Sequence, residues 1–250
     1  MQKIEINNNI YISYKQQKTN NKNAKTIVFL HGLMSDKDGS KSISIEEFCV
    51  KNGYNFFAFD NLGHGDSTGN FTDYSISSWV DAARRVISLL NLKNIIIIGS
   101  SMGGWLALLL GREKIKNVKA IILLAPAPDF TQKIWNSLSA SERSRIETGE
   151  IINIKQSENF NGIPISYNLI LGGRDKCLMH NEKISLAVPG IIIHGMEDLE
   201  VDYQVSLELA KKIENDYLVL KLLKYSGHRL SSENDLQLIN NSIEELSSLF

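Results

Sequence analysis

The chain is short of cysteine, of net charge and of long apolar runs, and each shortage removes a class of protein. Its two cysteines, Cys49 and Cys177, lie far apart and are too few for a disulfide framework, so a reducing compartment, the cytoplasm, is expected. A net charge of −1 supplies no field that would gather nucleic acid or an anionic membrane surface. No stretch approaches the roughly 18 consecutive apolar residues of a membrane span. The opening Met1-Gln2-Lys3-Ile4-Glu5-Ile6-Asn7 lacks the basic start and apolar block of a secretory signal. Neither H-E-x-x-H nor clustered Cys/His spacing occurs, so no catalytic metal is expected.

What is present suits one globular α/β domain over residues 1–250. Apolar residues make up 43% of the chain and charged residues 22%, enough for one sizeable core. Residues 3–6 and 10–14 alternate apolar and polar around Asn7-Asn8-Asn9, which reads as an edge hairpin. The runs 26–30, 54–59, 95–98, 120–124 and 190–193 are wholly apolar, as strands buried on both faces of a parallel sheet are. Residues 218–223 supply one more strand. Between the strands, Trp79, Ala82, Val86 and Leu89 recur at helical spacing, as do Val205, Leu209 and Ile213. The last helix carries Leu236, Ile239, Ile243, Leu246 and Phe250 on one stripe behind Ser231-Ser232. Strand and helix alternate, which predicts a doubly wound α/β sheet.

One interval breaks the rhythm. Residues 129–189 separate consecutive sheet strands by about 60 residues, far beyond an ordinary crossover. The interval holds Trp135, Phe160 and Tyr167, a capping box at Ser139-x-x-Glu142 and a Gly172-Gly173 break. It reads as a small, largely helical lid. Trp135, Leu138, Phe160, Ile163, Leu169, Leu178 and Met179 either line a greasy acyl pocket or form the lid's own core.

The strongest chemical signal is Gly99-Ser100-Ser101-Met102-Gly103-Gly104, between a strand and an apolar helical run. In that setting Gly-x-Ser-x-Gly makes a nucleophile elbow, a turn so sharp that side chains at the flanking positions would collide with backbone. Ser101 then sits at a helix N-terminus, where developing negative charge is favoured. A serine hydroxyl needs a base, and the base an orienting carboxylate, in the chain order Ser, acid, His. His31 and His64 precede Ser101, His180 falls in the insertion and His194 ends a strand. His228, in Ser226-Gly227-His228-Arg229 before the last helix, is the expected base. Asp198, in His194-Gly195-Met196-Glu197-Asp198, is the favoured acid, with Glu197, Asp202 and the more distant Asp129 as competitors. The oxyanion needs two N–H donors. Met102 follows the nucleophile and supplies one, and the loop His31-Gly32-Leu33-Met34 supplies the other, most simply at Leu33. The segment from Asp60 to Ser67 does not match a phosphate-binding loop and reads as a structural turn at the pocket floor, with His64 structural.

Taken together, His31-Gly32, Asp60-x-x-Gly63-x-Gly65-x-Ser67, Gly99-x-Ser101-x-Gly103, His194-Gly195-x-x-Asp198-x-x-Val201 and Gly227-His228 resemble the α/β-hydrolase superfamily over nearly the whole chain. That resemblance implies a mostly parallel eight-stranded sheet flanked by helices, no cofactor, and catalysis by Ser101, Asp198 and His228. A narrower set, Ile45-Glu46-Glu47-Phe48-Cys49, Ser100-Ser101-Met102-Gly103-Gly104-Trp105, Lys176-Cys177-Leu178-Met179-His180 and Ser226-Gly227-His228-Arg229-Leu230, resembles the subfamily of palmitoyl-protein thioesterases and acyl-glucuronide esterases. It implies an acyl ester or thioester substrate, a small molecule or an S-acylated protein. Dehalogenases and epoxide hydrolases carry Asp at the elbow, which Ser101 excludes. Acyl transfer, C–C bond hydrolysis and a non-catalytic binding module of the same fold remain as alternatives.

Overall fold

The structure, a computed structural model, describes residues 2–154 and 162–250. The main sheet has eight strands: β1 (Gln2–Asn7), β2 (Ile10–Gln17), β3 (Thr26–Leu30), β4 (Asn55–Phe59), β5 (Ile95–Ser100), β6 (Val118–Leu124), β7 (Gly190–Gly195) and β8 (Leu218–Leu223). They lie in the order β1-β2-β4-β3-β5-β6-β7-β8. β1 and β2 pair antiparallel, as does β2 with β4, and the remaining pairs are parallel.

The wholly apolar runs are buried on both faces because side chains alternate across a strand. Val28, Leu30, Phe57, Phe59, Ile95, Ile97 and Ile192 point to one face, against Trp79, Ala83, Val86 and Leu106 of α2 (Ile76–Leu89) and α3 (Met102–Arg112). Ile27, Phe29, Phe56, Ile96, Ile98, Ile191 and Ile193 point to the other. There they meet Ile45 and Cys49 of α1 (Ser40–Asn52) and Ile239, Ile243 and Leu246 of α8 (Glu233–Ser247). Each such fully buried side chain contributes about 1.5–3 kcal/mol of burial free energy. α8 ends at Ser247, so Phe250 leaves the expected stripe and lies partly exposed beneath the Lys25 ammonium. Leu89 also falls outside its stripe, 47% exposed at the end of α2.

The described residues of 129–189 form three helices, a short antiparallel pair and, at Ile184–Ser185, a two-residue strand that pairs with Ile213–Glu214. The helices are α4 (Phe130–Ser137), α5 (Ala140–Glu147) and α6 (Tyr167–Arg174), and the pair joins Ile152–Ile154 to Ile163–Ile165. The capping box forms as expected: the Ser139 hydroxyl accepts the Glu142 N–H, and the Glu142 carboxylate accepts the Ser139 N–H at 2.8 Å. The break expected at Gly172-Gly173 does not occur, because both glycines lie inside α6. A Cβ at Gly172 would come within 2.1 Å of Ser75 Oγ, and one at Gly173 within 2.0 Å of Thr131 Oγ1. The glycines let α6 approach α2 and α4, at an intrinsic helix cost of about 1 kcal/mol each. Phe160 lies outside the described residues.

Register brings the strand ends to one edge of the sheet. Leu30 pairs with Gly99, Ser100 with Leu124, Ile193 with Leu124 and Gly195 with Leu223. The loops that leave β3, β5, β7 and β8 therefore emerge side by side, at the carboxyl edge where parallel sheets place their ligands.

Candidate active site

β5 ends at Ser100 and α3 begins at Met102, so Ser101 alone turns the chain, with φ 55° and ψ −115°. A serine held at positive φ stores about 1–3 kcal/mol of strain, which its surroundings must enforce. The Ser101 N–H donates to the Leu124 carbonyl at 2.9 Å, and the Ala127 N–H donates to the Ser101 carbonyl at 3.2 Å. The flanking glycines are required by contact. A Cβ on Gly99 would sit 2.0 Å from the Gly103 carbonyl oxygen, and one on Gly103 would sit 2.2 Å from that of Leu30.

The loop after β8 carries His228, and the loop after β7 carries Asp198. His228 Nδ1 is 2.7 Å from Asp198 Oδ2. A carboxylate oxygen can only accept, so the imidazole proton belongs on Nδ1 and Nε2 is left as the free base. Asp198 is buried, and its Oδ1 accepts the N–H groups of Glu200 at 2.9 Å and Val201 at 2.8 Å. Burial raises its pKa, but the donors from His194, His228 and Val201 outweigh that and hold it well below the usual carboxylate range. The competing carboxylates are engaged elsewhere. Asp202, just ahead of α7 (Gln204–Lys212), accepts the Gln204 N–H at 2.9 Å, and Glu197 is exposed. Asp129 accepts the Leu178 and Met179 N–H groups, at 2.9 and 2.7 Å.

Leu33 and Met102 line the same cavity as Ser101 and His228. Met102 is the first residue of α3, so its N–H has no carbonyl ahead of it in the helix. The Leu33 N–H makes no hydrogen bond among the described residues. Its direction follows from His31, at the start of that loop. The buried His31 Nε2 accepts the Asn61 N–H at 2.9 Å, so its proton is on Nδ1, which faces the Gly32 carbonyl at 2.7 Å. Burial lowers the His31 pKa, which keeps this tautomer neutral. In a trans peptide the carbonyl and N–H point opposite ways, so holding the Gly32 carbonyl turns the Leu33 N–H away from His31.

The rest of this loop is tied to the turn after β4. The Lys37 N–H donates to Asp60 Oδ1 at 2.8 Å and its ammonium to Oδ2 at 2.9 Å, in a buried pair. Residues 60–67 thus support the loop and do not line the cavity, contrary to the expected pocket floor. His64 is structural as expected. It packs between His31, Phe71 and Trp79 at ring distances of 5.0–5.3 Å, and burial lowers its pKa to about 4.

The cavity has a volume of about 610 Å³. Phe130, Ile134, Ile154 and Ile163 make an apolar wall on one side, and Lys41, Glu200 and Arg229 lie on the His228 side. Of the lid residues named from sequence, Ile163 reaches the cavity, whereas Trp135, Leu138, Leu169 and Leu178 are buried away from it, in the one core that the insertion shares with α2, α3 and that face of the sheet. Two polar contacts were not legible in the motifs. Glu200 Oε2 stands 3.7 Å from His228 Nε2, and His194 Nε2 stands 3.0 Å from Asp198 Oδ2.

A parallel sheet that presents a strained serine and a carboxylate-bound histidine on neighbouring loops defines a class. Residues 25–146 match the family described as alpha/beta hydrolase fold, and the chain belongs to it. Within that family the chain is similar to the rat palmitoyl-protein thioesterase ABHD10, mitochondrial, at 30% identity over 94% of this chain and 78% of the relative. The mouse protein of the same name is 30% identical over 88% of this chain and 74% of its own. The solved mouse alpha/beta hydrolase domain-containing protein 10 superposes with a TM-score of 0.88 at 28% identity, covering 99% of this chain and 98% of that one. A solved protein of Agrobacterium vitis S4 gives a TM-score of 0.91 at 30% identity, over 98% and 97% of the two chains. No helix among the described residues is long and apolar enough to cross a membrane.

Proposed function

We propose that the protein hydrolyses carboxylic ester or thioester bonds of acyl substrates through an acyl-enzyme, with Ser101 as nucleophile, His228 as base and Asp198 as orienting acid. The observation that carries this reading is the strained Ser101 in one cavity with His228, whose Nδ1 is bonded to Asp198 at 2.7 Å. His228 Nε2 takes the Ser101 proton as Oγ attacks the acyl carbonyl, and the Leu33 and Met102 N–H groups receive the oxyanion. The C–O or C–S bond breaks, and His228 returns that proton to the departing alkoxide or thiolate. Water, deprotonated by His228, then attacks the acyl-enzyme; the bond from the acyl carbon to Ser101 Oγ breaks, His228 returns the proton to Oγ, and the acid leaves. No step calls for a cofactor.

The acyl chain packs along Phe130, Ile134, Ile154 and Ile163, with residues 129–189 acting as a lid within one α/β domain. The thioesterase names of the relatives support an acyl thioester as the first substrate to test, on a small molecule or an S-acylated protein. Cytoplasmic residence belongs to the same proposal: Cys49 and Cys177 are both free thiols, whereas the ABHD10 relatives are named mitochondrial. The test is hydrolysis of p-nitrophenyl esters from acetate to palmitate and of the matching acyl-CoA thioesters, by wild type and Ser101→Ala. The expected loss in the variant is about 10⁴–10⁶ in kcat. Equal rates in the two proteins overturn the reading.

A further inference from the structure

His194, the last residue but one of β7, has no exposed surface and does not line the cavity, so no substrate reaches it. Its Nε2 faces two acceptors, Asp198 Oδ2 at 3.0 Å and the Val201 carbonyl at 2.9 Å. Nε2 therefore carries a proton in either charge state of the ring. Its Nδ1 lies 2.6 Å from the hydroxyl of Ser206, itself buried in the first turn of α7. Asp198 Oδ2 thus accepts two imidazole N–H groups, one from each side, while Oδ1 accepts two backbone N–H groups. All four of its lone-pair directions are filled, and it cannot rotate about χ2 without leaving buried donors bare.

We propose that His194, locked by Ser206, is a positioning residue that holds the Asp198 carboxylate in the plane from which Oδ2 meets His228, extending the catalytic chain to Ser206–His194–Asp198–His228–Ser101. This rests on the serine-hydrolase reading above. Without the His194 donor, Oδ2 keeps a single imidazole partner, and the carboxylate is free to tilt off the His228 Nδ1 axis. It also carries more undispersed negative charge, which holds the proton on His228 more tightly. Glu200, 3.7 Å from Nε2, also faces that imidazole, Lys41 and Arg229 lie on the same side of the cavity, and all three are unchanged in the variants below.

The experiment compares wild type, Ser101→Ala, His194→Leu, His194→Gln and Ser206→Ala. The readouts are kcat and KM on p-nitrophenyl butyrate across pH 5–9, the rate of Ser101 labelling by a fluorophosphonate, and the melting temperature. His194→Leu is expected to lower kcat and the labelling rate about 10- to 100-fold, as loss of an outer orienting partner does elsewhere. KM should stay within about threefold, and the acid limb of kcat/KM should move to higher pH. His194→Gln, whose amide N–H can reach Oδ2, should recover most of the rate, and Ser206→Ala should fall between it and wild type. A merely structural role lowers the melting temperature but leaves the limb and the labelling rate of the folded fraction unmoved, and that result overturns the proposal. If His194→Leu does not fold, Ser206→Ala decides, and a wild-type rate and pH limb there overturn it. Activity that survives Ser101→Ala refutes the hydrolase reading itself, whatever the His194 variants do.

Discussion

Replacing Asp198 by Asn exchanges one oxygen for an NH2 group in a pocket where every direction is occupied. If the Asn oxygen keeps the Glu200 and Val201 N–H groups, its NH2 faces two ring N–H groups, those of His194 and His228. His194 cannot yield, because the Val201 carbonyl also needs its Nε2 proton. His228 can yield by moving its proton to Nε2, which relieves its half of the clash and abolishes the base. The flipped Asn avoids this only by setting its NH2 against two buried backbone donors, at about 1–3 kcal/mol each. The first arrangement is therefore favoured, and the wrong tautomer costs on the order of 10⁴ in kcat, about 5.4 kcal/mol at 1.36 kcal/mol per decade. The assay is steady-state hydrolysis of p-nitrophenyl butyrate by folded Asp198→Asn, its melting curve recorded in parallel. Asp198 does not line the cavity, so KM should stay within about threefold. A folded variant that loses less than about tenfold in kcat would refute the tautomer argument.

Three further perturbations probe the scaffold of the site. Gly103→Ala drives a Cβ to 2.2 Å from the Leu30 carbonyl oxygen, and a cost of about 3 kcal/mol lowers Tm by about 6–12 °C. A Tm within about 2 °C of wild type would mean that the elbow has slack. Lys37→Met strands the buried Asp60 carboxylate, costing about 3–5 kcal/mol, and loosens the loop that carries Leu33, so kcat falls along with Tm. A melt showing no loss would make the pair dispensable. Burial depresses the His64 pKa from 6.5 to about 4, so between those values the unfolded chain binds a proton that the folded chain refuses. His64 therefore adds its full stability above pH 6.5 and loses about 3 kcal/mol as pH falls through that window. His64→Phe should flatten the fall in Tm between pH 7 and pH 4, and an unchanged slope would assign the acid lability to another group.

The sequence by itself determined those features that a few neighbouring residues encode. Uninterrupted apolar runs marked β3, β5 and β7 as strands buried on both faces, because alternation across a strand leaves no polar position when helices cover both sides. The elbow at Ser101 was legible because its strain and its need for Gly99 and Gly103 are local backbone matters. His228 followed from chain order and its place before the last helix. The tertiary structure alone decided what depends on groups distant in the chain. Four carboxylates suited the sequence pattern, and only register and loop packing set Asp198, 30 residues from His228, against its Nδ1. Gly172-Gly173 looked like a break because a glycine pair signals flexibility locally, whereas its use for close approach to Ser75 and Thr131 appears only when three helices meet. The apolar residues of the insertion divided in the same way. Composition marks Trp135 and Ile163 alike as greasy and both enter the core, but only their place on the assembled fold brings Ile163 to the cavity wall as well.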